Sequence, residues 1–286
     1  MTTVLVTAAT GQLGRLVVES LLRKVPAADI AVAVRSPEKA ADLAALGVDV
    51  RQADYAQPET VRAALAGVDR VLLISGTDMG ERVDQHRTVI EAAKEAGVGL
   101  LAYTSALHAD DATFGLADDH KATEAVLRAS GVPFALLRNG WYNENYTAQI
   151  GTYLQFGAVT GSAGEGRVSS AARRDYAEAA AAVLTTDGHE NAVYELSGDT
   201  AWSFAELAAE VAAQAGKPVA YHDVPAEQHV QVLLGAGLPE PFARTLVGVD
   251  AGISRGELAD TPGDLSRLIG RPTTPLATSV KEALAS

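Results

Sequence analysis

Short apolar runs alternate with amphipathic stretches through the first half of the chain, and each type has its own period. Val4–Thr7, Ile30–Val34, Val48–Gln52, Val71–Ser75, Leu100–Thr104 and Phe134–Leu137 are largely aliphatic or β-branched, as strands buried on both faces are. Between them, Leu13–Lys24, Glu38–Leu46, Glu59–Ala66, Glu81–Ala96 and Asp118–Ala129 repeat their apolar positions at helical spacing. Pro58, Gly67, Gly97 and Gly131 fall where these helices should begin or end. Alternation of this kind predicts parallel strands joined by right-handed crossovers. The expected fold class is α/β, a doubly wound parallel sheet with ligands at the carboxyl ends of its strands.

The alternation fades after Arg138. Gly140–Arg167 reads as loop, rich in Gly, Asn, Tyr and Ser, with only short candidate elements. Further on come a strand at Val193–Leu196, a helix after Trp202 with Ser203 as its N-cap, and a Gly/Pro-punctuated tail from Pro218. The alanine run Ala177–Ala182 resembles low complexity, but its neighbours make it a helix.

Composition narrows the chemistry. The 286 residues, 48% of them hydrophobic, suffice for a large core, yet no apolar run is long enough to span a bilayer. With no basic leader in MTTVLVTAATG, the sequence predicts a soluble, cytoplasmic protein without membrane partners. The absence of cysteine excludes disulfides and thiolate metal sites, so any redox chemistry must come from a cofactor. A net charge of −13 argues against nucleic acid as a partner.

Val4–Val6 runs into Thr7-Ala8-Ala9-Thr10-Gly11-Gln12-Leu13-Gly14 and then into a helix. Such a turn presents backbone N–H groups and a helix N-terminus to a phosphate. Glycine turns also serve packing alone, but the strand before it, the helix after it and a charged residue ending the second strand set this one apart. That residue is Arg35, where NAD-selective proteins carry an acid, and a guanidinium there favours a 2′-phosphate. The cofactor read from the pair is NADPH (NADP). A solvated surface arginine and an exposed helical Lys39 are the plainer alternatives. Ala8 places a methyl where glycine's positive φ can be needed. Asp54 and Tyr55 follow the third strand as candidate adenine neighbours, or as an ordinary turn acid and surface aromatic. The sequence thus divides into a dinucleotide-binding Rossmann domain over 1–150 and a smaller C-terminal α/β lobe over 151–286. That lobe is mainly on the substrate side, with some segments returning to the sheet.

The spacing Ala8-x-x-Gly11-x-x-Gly14 is that of short-chain dehydrogenase/reductases, with alanine first. Further segments are ATGQLG (Ala9–Gly14), RQADY (Arg51–Tyr55), LLIS (Leu72–Ser75), YTSALHAD (Tyr103–Asp110), LLRNGWYNENY (Leu136–Tyr146), VYELSGD (Val193–Asp199) and IGRPTTPLATSV (Ile269–Val280). Through them essentially the full chain resembles the NmrA-like branch of the atypical short-chain dehydrogenases, and within it the bacterial NAD(P)H:quinone oxidoreductases. The resemblance implies NADPH held by Ala8, Ala9, Thr10, Gly11, Gln12 and Leu13, by Arg35, and by Ser75, Gly76 and Thr77. It also implies contacts from Asn139, Gly140, Trp141, Tyr142, Asn143 and Glu144.

Alcohol-oxidising members use Tyr-x-x-x-Lys to move a proton with the hydride. That motif is absent; with Glu124 aligned to the acid that follows it, His120 takes the lysine place and Leu116 the tyrosine place. Hydride addition to a quinone gives a phenolate-like anion with a pKa of about 10, which needs no strong positioned acid. The expected reaction is therefore two-electron hydride transfer from NADPH to a small-molecule quinone. His108, just beyond the fifth strand, is the candidate proton donor, against the plainer reading of a loop histidine. Trp141 and Tyr142 would wall an apolar slot, whereas Trp202, Phe204, His222 and His229 are assigned to packing or surface. Asp110, Asp111, Asp118 and Asp119 read as solvated charges, and no metal is expected. An NADP(H)-sensing regulator is the competing function, an isomerase or a reductase of another conjugated acceptor is a third option, and the sequence admits a homodimer.

Overall fold

The computed structural model describes residues 2–78, 80–113, 115 and 117–285. Its first half alternates β1 (Val4–Thr7), α1 (Gln12–Leu22), β2 (Ile30–Val34), α2 (Ala41–Ala45), β3 (Asp49–Gln52), α3 (Pro58–Ala64), β4 (Arg70–Leu73), α4 (Arg82–Ala96), β5 (Leu100–Ala106), α5 (Ala117–Ser130) and β6 (Phe134–Asn139). Then follow α6 (Glu144–Thr147), α7 (Ile150–Phe156), β7 (Ala158–Gly161), β8 (Arg167–Val168), α8 (Arg173–Thr185), β9 (Ala192–Leu196), β10 (Trp202–Ser203), α9 (Phe204–Ala215) and β11 (Ala220–Asp223). Helices α10 (Ala226–Gly235), α11 (Glu240–Ser254), α12 (Asp264–Ile269) and α13 (Leu276–Leu284) complete the chain.

Seven strands form one sheet in the order β3-β2-β1-β4-β5-β6-β9, and β1 through β6 pair in parallel. Val4 of β1 stands opposite Ile30 on one side and Arg70 on the other. The strand order therefore reverses at β1 and β4, and a crevice for a ligand opens at the carboxyl ends of strands at such a switch point. β1, β2 and β5 are buried on both faces, as strands covered by helices on both sides are, whereas β3 at the edge carries Asp49, Arg51 and Gln52. Leu5, Val71, Leu101 and Leu136 pack with Val61, Leu65, Val89 and Ile90 into a continuous buried cluster. Each such side chain contributes about 1.5–3 kcal/mol by leaving water.

Two compact units are distinguishable. The first comprises residues 1–106, 119–139 and 174–194; the second comprises 107–118, 140–173 and 195–286, so both are discontinuous in sequence. The second unit carries two small ladders, β7 parallel to β11 and β8 antiparallel to β10.

Several expected boundaries shift. The fourth strand ends at Leu73 instead of Ser75 because the Ile74 and Ser75 amides donate to the Thr7 and Thr104 hydroxyls, at 3.0 and 2.9 Å, instead of to a neighbouring strand. The fifth and sixth strands run longer than expected, since Ser105 and Ala106 pair with Arg138 and Asn139. The expected helix over Glu38–Leu46 is a 3-10 turn, Pro37–Ala40, followed by the short α2. Ser203 caps α9 as expected, with Glu206 completing a capping box. The punctuated tail is instead mostly helical: Pro225, Pro239 and Pro275 are the N-cap residues of α10, α11 and α13.

Candidate functional site

The turn after β1 is shaped by backbone contact. Ala8 adopts φ +49, a left-handed conformation that costs an alanine about 1–2 kcal/mol. Its carbonyl accepts the Gly11 amide at 2.9 Å. A Cβ on Gly14 would lie 2.5 Å from the Ala8 oxygen and 2.7 Å from the Ala9 Cα, so only glycine lets helix and turn approach this closely. A Cβ on Gly11 would lie 3.2 Å from the same oxygen, looser than at Gly14 but still closer than ordinary van der Waals contact. Helix α1 has no side-chain cap and no acid in its first turn. Its amides and the positive end of its dipole are left for an anion, which fits the pyrophosphate of a dinucleotide.

Arg35 follows the last residue of β2, is exposed, and makes no hydrogen bond or ion pair among the described residues. Its guanidinium is available to a phosphate. Asp54 serves its own turn, accepting from the Ala56 amide at 3.0 Å and from the Gln57 amide group at 3.3 Å. Burial pushes the neighbouring Tyr55 phenol up to about 12, with Thr7 and the Arg35 charge pulling the other way.

At the end of β4, Ser75, Gly76 and Thr77 leave the sheet. Gly76 N–H donates to His86 Nε2 at 2.9 Å, and Nδ1 of that ring pairs with the Thr123 hydroxyl at 3.0 Å. His86 therefore fixes this segment, with Thr7 and Thr104 holding the two residues before it. Sequence reasoning missed all three residues. Histidine ten positions after Gly76 on the next helix was a readable signal only once the helix face was known.

The place of the absent lysine is taken by His120, whose Nδ1 pairs with the Tyr103 hydroxyl at 2.8 Å. Burial, reinforced by the Arg82 charge and by His86, holds His120 down at about 3. A neutral imidazole there cannot act as the lysine does. Leu116, in the tyrosine place, lies outside the described residues. Glu124, read as the acid following that motif, is 2% exposed and accepts a bidentate pair from Arg138 at 2.9 and 2.6 Å, with Ser105 donating at 2.5 Å. It braces the ends of β5 and β6.

The remaining candidates belong to the second unit, apart from Asn139, which ends β6 in the first. Gly140 N–H donates to the Leu196 carbonyl at 2.7 Å. Tyr142 forms a bridge with Ala171, and the Arg173 guanidinium lies 4.9 Å from its ring centre. Asn143 is buried, donating to Ser279 Oγ at 2.9 Å and accepting from Ser170 Oγ at 2.5 Å. Glu144 accepts the Arg173 amide at 3.0 and 2.9 Å. Both side chains are committed to holding the loop. Trp141 lines a cavity of about 520 Å3 whose walls include Tyr146, Tyr153 and Phe204. His108 has φ +51, its amide donates to Glu195 Oε2 at 2.9 Å, and its Nε2 lies 2.9 Å from Asp260 Oδ2 without hydrogen-bond alignment. Among the described residues no His, Asp and Glu cluster could hold a metal, and no helix is long and apolar enough to cross a membrane.

Residues 8–187 match the profile of an NAD(P)H-binding family. Quinone oxidoreductase 2 of Escherichia coli is 51% identical over 275 residues, 96% of each chain. The crystal structure of the E. coli NADPH-dependent quinone oxidoreductase complexed with NADPH superposes with a TM-score of 0.97 at 50% identity, covering 99% of this chain and 100% of that one. Citrobacter triphenylmethane reductase complexed with NADP(H) superposes with a TM-score of 0.95 at 42% identity, covering 98% and 100%.

Proposed function

Because the chain belongs to the NAD(P)H-binding, NmrA-like family, we propose that it is an NADPH-dependent quinone oxidoreductase, reducing a quinone by two electrons without a Tyr-x-x-x-Lys pair. The observation that carries the reading is a glycine-cradled anion site combined with a proton-relay position filled by the half-buried His120, held neutral by desolvation. When bound, NADPH would supply a hydride, two electrons and one proton, whose net transfer converts a quinone into the hydroquinone monoanion.

The chain's own residues bind and orient. The amides between Ala8 and Leu13 meet the pyrophosphate, Arg35 meets the 2′-phosphate, and the fixed Ser75–Thr77 segment, with Asn139, Gly140, Trp141 and Tyr142, supports the remainder of the cofactor. Asn143 and Glu144 hold that loop in shape. Proximity and orientation then supply most of the acceleration, as no covalent step is needed. The product anion takes its proton from water or from His108, which in its protonated form pairs with Glu195 and Asp260. A phenolate with a pKa of about 10 protonates readily at neutral pH. This chemistry suits the cytoplasmic setting expected from the sequence.

The test is direct. Purified protein mixed with NADPH and 1,4-naphthoquinone should consume the absorbance of the reduced nicotinamide in proportion to protein added. Tight NADPH binding with no protein-dependent oxidation would instead make the protein a cofactor sensor.

A further inference from the structure

The second unit contains a polar cluster at the end of its cavity that the proposed reaction does not use. Asp250 Oδ2 accepts the Ser162 amide at 2.8 Å and the Ser162 hydroxyl at 3.2 Å, and lies 3.1 Å from His229 Nδ1. His229 Nδ1 is also 3.2 Å from Ser162 Oγ. A carboxylate only accepts, and the serine proton is already directed at it, so Nδ1 carries the imidazole proton. In the neutral ring Nε2 is thereby left as an acceptor, and it makes no hydrogen bond among the described residues.

Two phenols share this end. Tyr146 and Tyr153 line the same cavity, and neither hydroxyl has a hydrogen-bond partner among the described residues. Burial and then the Asp250 charge hold both phenols well above their ordinary range, so both stay donors. The walls are set before any ligand arrives: Tyr146 meets Phe204 and Trp202 edge to face at 5.4 and 4.9 Å. A Cβ on Gly161 would lie 2.7 Å from the Phe204 ring and 3.3 Å from Asp250 Oδ2, so glycine is what lets the ring and the carboxylate meet there. The mouth is apolar, with Phe156 71% and Val232 45% exposed.

We propose that this cavity is a binding site for a small neutral phenol, an aromatic ring whose hydroxyl accepts from a tyrosine and donates to His229 Nε2. The volume is ample for a two-ring molecule, since ligand cavities run from roughly 300 to 1,000 Å3. A hydroxyl fits both partners at once. A carbonyl would leave Nε2 unpaired, and an ammonium would find the Asp250 charge already engaged by three donors. The inference does not depend on the quinone reading, because every group it uses lies within the second unit.

Fluorescence titration with 2-naphthol, naphthalene and 1-naphthylmethylamine tests it. The unmodified protein should bind 2-naphthol saturably, about tenfold tighter than naphthalene, the value of one good buried hydrogen bond. His229→Phe removes a partner of Asp250 and lowers the melting temperature, but it should still bind naphthalene and NADPH while the preference for 2-naphthol falls to about twofold or less. Val232→Trp, at the exposed mouth, should weaken both ligands about equally and needs no repacking of the interior. Absence of saturable binding, equal affinities for naphthol and naphthalene, tighter binding of the amine, or a preference untouched by His229→Phe overturns the proposal. NADPH titrated in parallel separates these outcomes from any failure of the cofactor site.

Discussion

A side-chain carbon on Gly14 would sit 2.5 Å from the carbonyl oxygen of Ala8, well inside the distance at which packed atoms stop. Gly14→Ala must therefore push α1 away from the turn, at a cost of about 1–3 kcal/mol, and weaken NADPH binding with it. Ala8→Gly acts in the opposite sense. It removes the cost of φ +49, partly offset by the freer unfolded chain, for a net gain of about 0.5–1 kcal/mol with NADPH affinity held or tightened. Gly11→Val, whose branches start 3.2 Å from the same oxygen, should block binding. Urea unfolding and NADPH titration of the three variants check this, and an unimpaired Gly11→Val would misplace the pyrophosphate.

Arg35 should discriminate between cofactors. Its exposed guanidinium has no ion pair or hydrogen bond among the described residues, so removing it unpairs nothing in the protein. Arg35→Ala should weaken NADPH by about 10- to 100-fold, the range for hydrogen bonds to a charged group, and NADH by about twofold at most. Arg35→Lys should fall between, because a point charge lacks the bidentate fork. Titration with both cofactors decides, and equal losses would refute the assignment.

The parts of this site that a sequence can show are the local ones. The turn, Arg35 and the strands of the first half were legible because each is a contiguous pattern, apolar runs and small residues at fixed spacing. Ile74 and Ser75 were misread as strand because the hydroxyls that divert their amides come from Thr7 and Thr104, 67 and 29 positions away. The tail helices were hidden by prolines that start helices instead of ending them, Pro239 being the N-cap of a 15-residue helix. Ser162, His229 and Asp250 meet across 67 and 88 positions, and no spacing rule joins such residues.

Glu124 and Arg138 form a buried pair, 2% and 4% exposed, with Arg128 also 3.6 Å from the Glu124 carboxylate. Glu124→Gln removes the carboxylate that the buried guanidinium grips in a bidentate pair and should cost about 3–5 kcal/mol in urea unfolding. Replacing both residues by leucine should recover most of that loss, because burying an ion pair gains little over apolar packing. A double variant as unstable as the single one would show that the pair contributes stability of its own.

Two histidines whose pKa values the fold lowers should tie stability to pH. Burial and then the Arg82 charge hold His86 down at about 4, and the same two causes, with His86 added, hold His120 at about 3. In the unfolded chain each titrates near 6.5. As pH falls below 6.5, the unfolded chain binds protons that the folded protein refuses, so stability drops toward acid and is flat with respect to these groups above about pH 7. Between the folded and unfolded values each histidine contributes a slope of about 1.4 kcal/mol per pH unit. The window from pH 6 to pH 5 lies above most carboxylate titration, which isolates the effect. Urea midpoints at intervals across it should show the unmodified protein losing stability steadily. His120→Phe, which keeps a ring beside Tyr103, should remove one histidine's share of that slope whatever it does to the absolute stability. An unchanged slope in the variant would mean that His120 is not held neutral in the fold, and the lysine place would then contain a group able to carry a proton.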